Sequence, residues 1–162
     1  MAAPKGFSWG QIALHWLVAA LLVPQYLLHD GIKHAFFRSL RGEAWEATAT
    51  LQFHIWGGLA IFALVLWRLA LRLKRGVPAP LPGGNPLLET VAKLVHLGLY
   101  VVLLLMPLAG LLAWFGLSRV GAELHEASKL ALLALVALHV AGALYHQFVL
   151  RDGLMARMKR PQ

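Results

Sequence analysis

Four long apolar stretches divide this chain: Phe7 to Leu28, Leu51 to Leu73, Leu88 to Phe115 and Glu123 to Leu150. A helix needs about 20 apolar residues to cross a hydrocarbon core about 30 Å thick. Each stretch is long enough, allowing for tilt. Composition agrees: 14% of residues are charged and 59% hydrophobic, where a soluble domain is about a quarter charged. The connections are polar or rich in helix breakers. Residues 29–50 carry charges of both signs, and a short interfacial helix is expected around Ala44 to Thr50. The second connection, KRGVPAPLPGGNPL from Lys74 to Leu87, holds four prolines and three glycines and reads as a loop. The third, Gly116 to Ala122, is short, so the helices it joins should be antiparallel neighbours. The expected fold is all-α, a transmembrane four-helix up-down bundle forming one domain over residues 1–162. The N-terminal run MAAPKGFSWGQIALHW does not read as a signal peptide, because the apolar segment that follows is too long and contains His15 and Pro24.

The net charge is +8, but the basic residues lie in short clusters beside apolar segments. That pattern fits membrane topology and anionic headgroups rather than nucleic acid. Lys5, Arg68, Arg72, Lys74, Arg75, Lys93, Arg151, Arg157, Lys159 and Arg160 would share one side, against Lys33, Arg38, Arg41, Arg119 and Lys129 on the other. Positive charge collects inside, so both termini are expected in the cytoplasm. The chain has no cysteine. Disulfides, cysteine-held iron–sulfur clusters, covalently attached c-type haem and thiolate-bound zinc are therefore excluded.

Eight histidines remain, and their depths are informative. His125 and His139 are fourteen residues apart in the last stretch. At about 100° and 1.5 Å per residue they share a face and sit roughly 21 Å apart along the axis. Polar groups at such depths are functional candidates, because burying them unpaired is costly. Alternating helix direction places His54 near the outer face with His125, and His15 on the inner side with His139. Two imidazole pairs, one above the other, point to two metal centres, read here as two bis-histidine haems. Ordinary hydrogen bonds between helices are the competing explanation for each histidine. His29, fourteen residues from His15, is a rival outer ligand at a helix end; His34 lies in the outer loop; His96 could bond across helices or to a haem propionate. The small residues Gly57, Gly58 and Gly142 would admit a flat macrocycle or simply close helix packing.

These residues resemble the bacterial cytochrome b561 family of four-helix, di-haem membrane cytochromes. The resemblance rests on His15-Trp16, the His54 segment, and the arginine-rich end Arg68 to Arg75 before the proline-rich loop. It continues through HLGLYVVLLLMPLAGLL from His96 and LHEASKLALLALVALHVAGALYHQF from Leu124, and so covers nearly the whole chain. It implies that His15 and His139 ligate an inner haem b, and His54 and His125 an outer one. It implies residence in the bacterial cytoplasmic membrane and electron transfer between an outer-side donor and ubiquinone. A similar member acts as a superoxide oxidase. In that family the loop between helices three and four is often longer than Gly116 to Ala122, so a substrate site built on that loop is not carried over.

Closed axial positions favour electron transfer over oxygen binding. Lys33, Arg38, Arg41, Arg119 and Lys129 could steer a small anion such as superoxide, or a protein donor, or could contact lipid phosphate. His146, seven residues past His139 on nearly the same face, is positioned to exchange protons with quinone; contact with headgroups or a propionate is the simpler alternative. A haem-bearing anchor and electron-relay subunit of a larger hydrogenase or reductase is a second reading. A histidine-relay metal transporter is a third, disfavoured because Glu123 and Glu126 lie at a helix end.

Overall fold

The structure, a computed structural model, describes residues 4, 6–29, 31–81 and 84–161. Lys5, Asp30, Pro82 and Gly83, which figure in the sequence reading, lie outside the described residues. The regular structure of the described residues is helical: α1 Trp9–Leu27, α2 Ile32–Leu40, α3 Ala49–Arg75, α4 Pro86–Gly116 and α5 Arg119–Tyr145. A π-wound turn, His146–Leu150, continues α5, and a 3-10 turn, Leu154–Met158, follows.

Local chemistry sets these limits. Ser8 and Gln11 form a capping box at the start of α1. Thr48, Asn85 and Ser118 cap α3, α4 and α5 with side-chain oxygens, and Pro86 opens α4 where its missing N–H costs nothing. Gly76 ends α3 at positive φ. α4 runs on through Pro107. The interfacial helix lies earlier than expected. Residues 41–48 carry no helix, and α2 instead occupies Ile32–Leu40. Gly31 starts it at φ 80° and Gly42 lies just past its end at φ 68°. Between them Ala35 and Phe36 are buried, giving the short helix one seated face.

Four helices are long and apolar enough to cross a membrane: α1, α3, α4, and α5 with its π-wound extension. No residue in the most apolar window of α4 is buried, and side chains such as Leu73, Leu130 and Leu27 are at least 70% exposed. Apolar surface on that scale requires an apolar surrounding. The protein's own core is correspondingly small: Val18, Ile61 and Val65, packed against Leu21, Leu22, Leu64, Tyr100, Leu103 and Leu104.

α4 packs on α5, α1 on α3, and α3 on α4. Gln11 Nε2 donates to Gly76 O and Gln25 Nε2 to Phe53 O, both at 3.2 Å, so α1 and α3 run antiparallel. Gly121 lets α5 touch α4, since a Cβ there would stand 2.7 Å from Ala113 N. Tyr26 Oη donates to Lys129 O (2.6 Å), joining α1 to α5. At the opposite end Trp16 Nε1 donates to Met158 O (2.9 Å) and Arg157 Nη1 to Ala79 O (2.7 Å). These bonds tie the C-terminal turn to α1 and to the α3–α4 loop. This is the terminal end of the molecule.

Candidate functional site

The helices bring histidines together at two levels. His15 of α1 and His139 of α5 meet with ring centroids 5.9 Å apart and planes inclined at 77°. His54 of α3 and His125 of α5 meet at 5.8 Å and 76°. A metal–imidazole nitrogen bond is about 2 Å long. Two rings on opposite sides of one metal ion therefore bring their centroids to about 6 Å. Each pair has the spacing of a bis-imidazole site.

The upper pair adjoins a cavity of about 350 Å³ lined by Gln25, Tyr26, His54, Gly58, Pro107 and His125 among others. Among the described residues His54 Nδ1 is buried there without a hydrogen-bond partner. Buried polar atoms are nearly always paired, so this cavity is a place where protein groups alone leave the bonding incomplete. His125 is held differently. Its Nδ1–H donates to the backbone carbonyl of Met106 at 2.8 Å. This bond fixes the tautomer and leaves Nε2 as the free nitrogen. Gly110 makes it possible: a Cβ at that position would meet His125 Nδ1 at 3.0 Å and Cε1 at 3.2 Å.

The lower level holds three imidazoles. His96 of α4 lies 5.1 Å from His139, nearer than His15 does, and Trp16 stacks edge-on to His15 at 5.2 Å. Arg68 donates to Tyr100 Oη at 3.1 Å, and Arg72 lies over the Tyr100 ring. Both guanidiniums are within electrostatic reach of His96. Among the described residues no three His, Cys, Asp or Glu side chains converge in a compact metal-binding geometry. The imidazoles thus offer two opposed pairs rather than a closed coordination sphere. Such pairs suit a metal whose other ligands come from a planar group, as in haem.

The remaining histidines stand apart from the pairs. His29 Nδ1 donates to Tyr26 O at 2.7 Å at the end of α1, and its ring lines the mouth of the cavity. His34 is exposed on α2. His146 lies below the lower level, where its Nδ1–H donates to Asp152 Oδ2.

Sequence reasoning missed three partners: Met106 with Gly110, Glu126, and Asp152. The first had a signal. A short α4–α5 connection makes residues equidistant from it face each other, and Gly110 and His125 are such a pair. Glu126 binds both Lys33 (2.9 Å) and Lys129 (2.8 Å) across the mouth of the cavity. Arg38 and Arg41 likewise pair with Glu43. The hydrogen bond from Arg41 holds the Glu43 carboxyl below its usual range, against a small opposing effect of burial. Four of the five expected outer cations are therefore partly neutralised, and the steering field is weaker than the sequence suggests.

Comparison with known proteins identifies the family. The family model for prokaryotic cytochrome b561 matches residues 6–161. The chain is 34% identical to cytochrome b562 of Cereibacter sphaeroides over the full length of both. It is 27% identical to a probable superoxide oxidase, CybB, of Yersinia pestis, covering 95% of this chain and 96% of that one. It is 26% identical to cytochrome b561 homolog 1 of Escherichia coli, covering 94% and 96%. With four membrane-crossing helices and imidazoles opposed in pairs, the chain belongs to the prokaryotic cytochrome b561 family and is a membrane-bound b-type haem cytochrome of electron transport.

Proposed function

We propose that the chain is a di-haem oxidoreductase carrying electrons from a donor at the outer side to ubiquinone at the terminal end. In this reading His54 and His125 hold the outer haem b, and His15 and His139 the inner one. The helices alternate up and down in a single domain, with both termini in the cytoplasm of a bacterial cell. The observation that carries the reading is the pair of opposed imidazole sites at two depths, with centroids 5.9 and 5.8 Å apart.

Haem held between such rings would supply one-electron transfer. The chain's own residues do the rest. Met106 O and Gly110 orient His125. Leu22, Leu103 and Leu132 give the upper cavity apolar walls. Arg68 and Arg72, beside the lower histidines, are placed to pair with carboxylates of a bound cofactor. The antiparallel contacts of α1 with α3 and of α4 with α5 support the up-down order.

The donor proposed is a small anion, superoxide in the first instance. Support comes from the relative described as a probable superoxide oxidase. At the outer end Lys33 and Lys129 share Glu126, and Arg38 and Arg41 share Glu43, so two cations meet at each of these carboxylates. At the terminal end His146 is the residue proposed to exchange a proton with quinone.

The test is a pyridine haemochrome spectrum of the purified chain, followed by quinone reduction by that chain alone. Two b-type haems per chain and quinone reduction driven by superoxide are the expected results. One haem would remove one of the two pairs from the ligand set. Two haems without quinone turnover would favour an electron-relay subunit whose partner does the chemistry.

A further inference from the structure

The end of α5 is built around a side-chain pair that electron transfer does not require. α5 gives way to the π-wound turn His146–Leu150, and Arg151 follows in the left-handed region at φ 52°. This winding reverses the chain so that Asp152 returns to His146, six residues earlier. Asp152 Oδ2 accepts from His146 Nδ1, while Oδ1 accepts from the Leu154 amide at 3.0 Å. Both side chains are 24% exposed, at the boundary between the apolar span and water. Single π-turns within helices recur at functional sites. A carboxylate can only accept, so the proton of this bond belongs to Nδ1 and the free nitrogen of the ring is Nε2.

We propose that Asp152 is a positioning residue for His146, holding the imidazole with its proton on Nδ1 so that Nε2 is the nitrogen that exchanges a proton with quinone. The inference rests on the reading above that quinone is reduced at the terminal end. Reduction of one quinone takes two electrons, delivered singly from the outer donor, and two protons. For one of the protons, the Nε2–H bond of the His146 imidazolium breaks, its electron pair stays on nitrogen, and an O–H bond forms on the reduced quinone. Solvent at the membrane surface returns a proton to Nε2, and the same transfer repeated supplies the second. Throughout, Asp152 stays ionised and Nδ1–H stays in place, so the ring does not turn between cycles. A purely structural role, closing the helix end through the Leu154 amide, is the competing explanation.

Asp152→Asn separates the two. The amide oxygen can keep the Leu154 bond. The amide NH₂ then faces His146 Nδ1 and moves the ring proton to Nε2, as asparagine does in other such pairs. The experiment uses the full haem-loaded chain in detergent with a soluble ubiquinone analogue. Ring tautomers are read by ¹⁵N NMR of histidine-labelled protein, and haem content is the control for folding. The expected result is Nδ1–H in the native His146 ring and Nε2–H in Asp152→Asn. The variant's kcat should fall by at least about tenfold with KM little changed, since general acid–base catalysis is worth about 10²–10⁴. Asp152→Glu should recover part of the rate. A swapped tautomer with unchanged kcat, while His146→Gln is slow, would overturn the inference and leave the quinone site standing. Unchanged turnover in His146→Gln would overturn the quinone reading itself. An Nε2–H tautomer in the native protein would overturn the inference without any variant.

Discussion

His125 lies against the backbone of α4, its Nδ1 2.8 Å from the carbonyl oxygen of Met106. The contact spans two helices joined by only two residues, so its geometry is set close to the turn. It orients the ring before any cofactor arrives. His54, its partner across the upper cavity, has no such bond and keeps an unpaired buried nitrogen. The two halves of this site are therefore unequal: the protein bonds one ring at Nδ1 and leaves the other without such a bond among the described residues.

Gly110 is the position on which that presetting depends. Gly110→Val should push the His125 ring away from Met106 and weaken retention of the outer haem by at least about tenfold, the scale on which outer-shell partners act. Overpacking should also cost about 1–3 kcal/mol of stability. Haem content after dialysis against apomyoglobin checks the first effect and thermal unfolding the second. Full haem retention with an unchanged spectrum would show that the Met106 bond is incidental.

The two levels should come apart under mutation. His139→Ala should leave one haem per chain, held at the outer level, and His54→Ala should leave one at the inner level. The two products should differ in midpoint potential, because Arg68 and Arg72 lie only beside the lower histidines. Loss of both haems in both variants would mean that the sites assemble together; retention of two in His139→Ala would remove that residue from the ligand set.

Glu126 tests the electrostatics of the outer end. Glu126→Gln releases Lys33 and Lys129 from their shared carboxylate. The second-order rate with an anionic donor should rise about two- to tenfold at low ionic strength. The gain should vanish near ~1 M salt, where the Debye length is about 3 Å. With an uncharged donor the rate should not change. A rate unaffected at low salt would mean that these lysines do not face the donor's path.

Asp152 gives a pH-dependent signature of the helix end. Burial acts to raise its pKa, but the Leu154 amide and the His146 ring outweigh that and hold it below the ordinary 3.8. A carboxyl whose folded pKa is depressed stabilises the fold fully above its unfolded pKa and ceases to do so as pH falls through the folded value. The melting temperature of the native chain should thus exceed that of Asp152→Ala by a constant margin above about pH 5, with the margin shrinking below about pH 4. A margin independent of pH would show that the carboxylate charge contributes nothing.

Much of this protein was legible before any coordinates. Four apolar runs of spanning length fixed the helical class, because a backbone in lipid must satisfy its own hydrogen bonds. Their exact starts were not legible: the caps Ser8, Thr48, Asn85 and Ser118 set them, where the apolar runs begin at Phe7, Leu51, Leu88 and Glu123. The histidine pairs followed from depth alone: alternating helices put residues of equal depth side by side, and the rings of His15 and His139, and of His54 and His125, lie together accordingly. The interfacial helix was misplaced. Its position depends on the positive φ of Gly31 and Gly42 and on the seat found by Phe36, and periodicity in a short polar loop does not report these.

Depth in a membrane is a one-dimensional coordinate, and a sequence determines it well. Which face of a helix meets which neighbour is set by packing around the axis, and this only the tertiary structure decided. It brought His96 to within 5.1 Å of His139, bound Lys33 and Lys129 to one glutamate, and returned Asp152 to His146 through a π-wound turn. Each of these contacts depends on rotation, winding or a backbone reversal that leaves no periodic trace, since a side chain's partner across a helix interface is chosen by shape at close range rather than by its place along the chain.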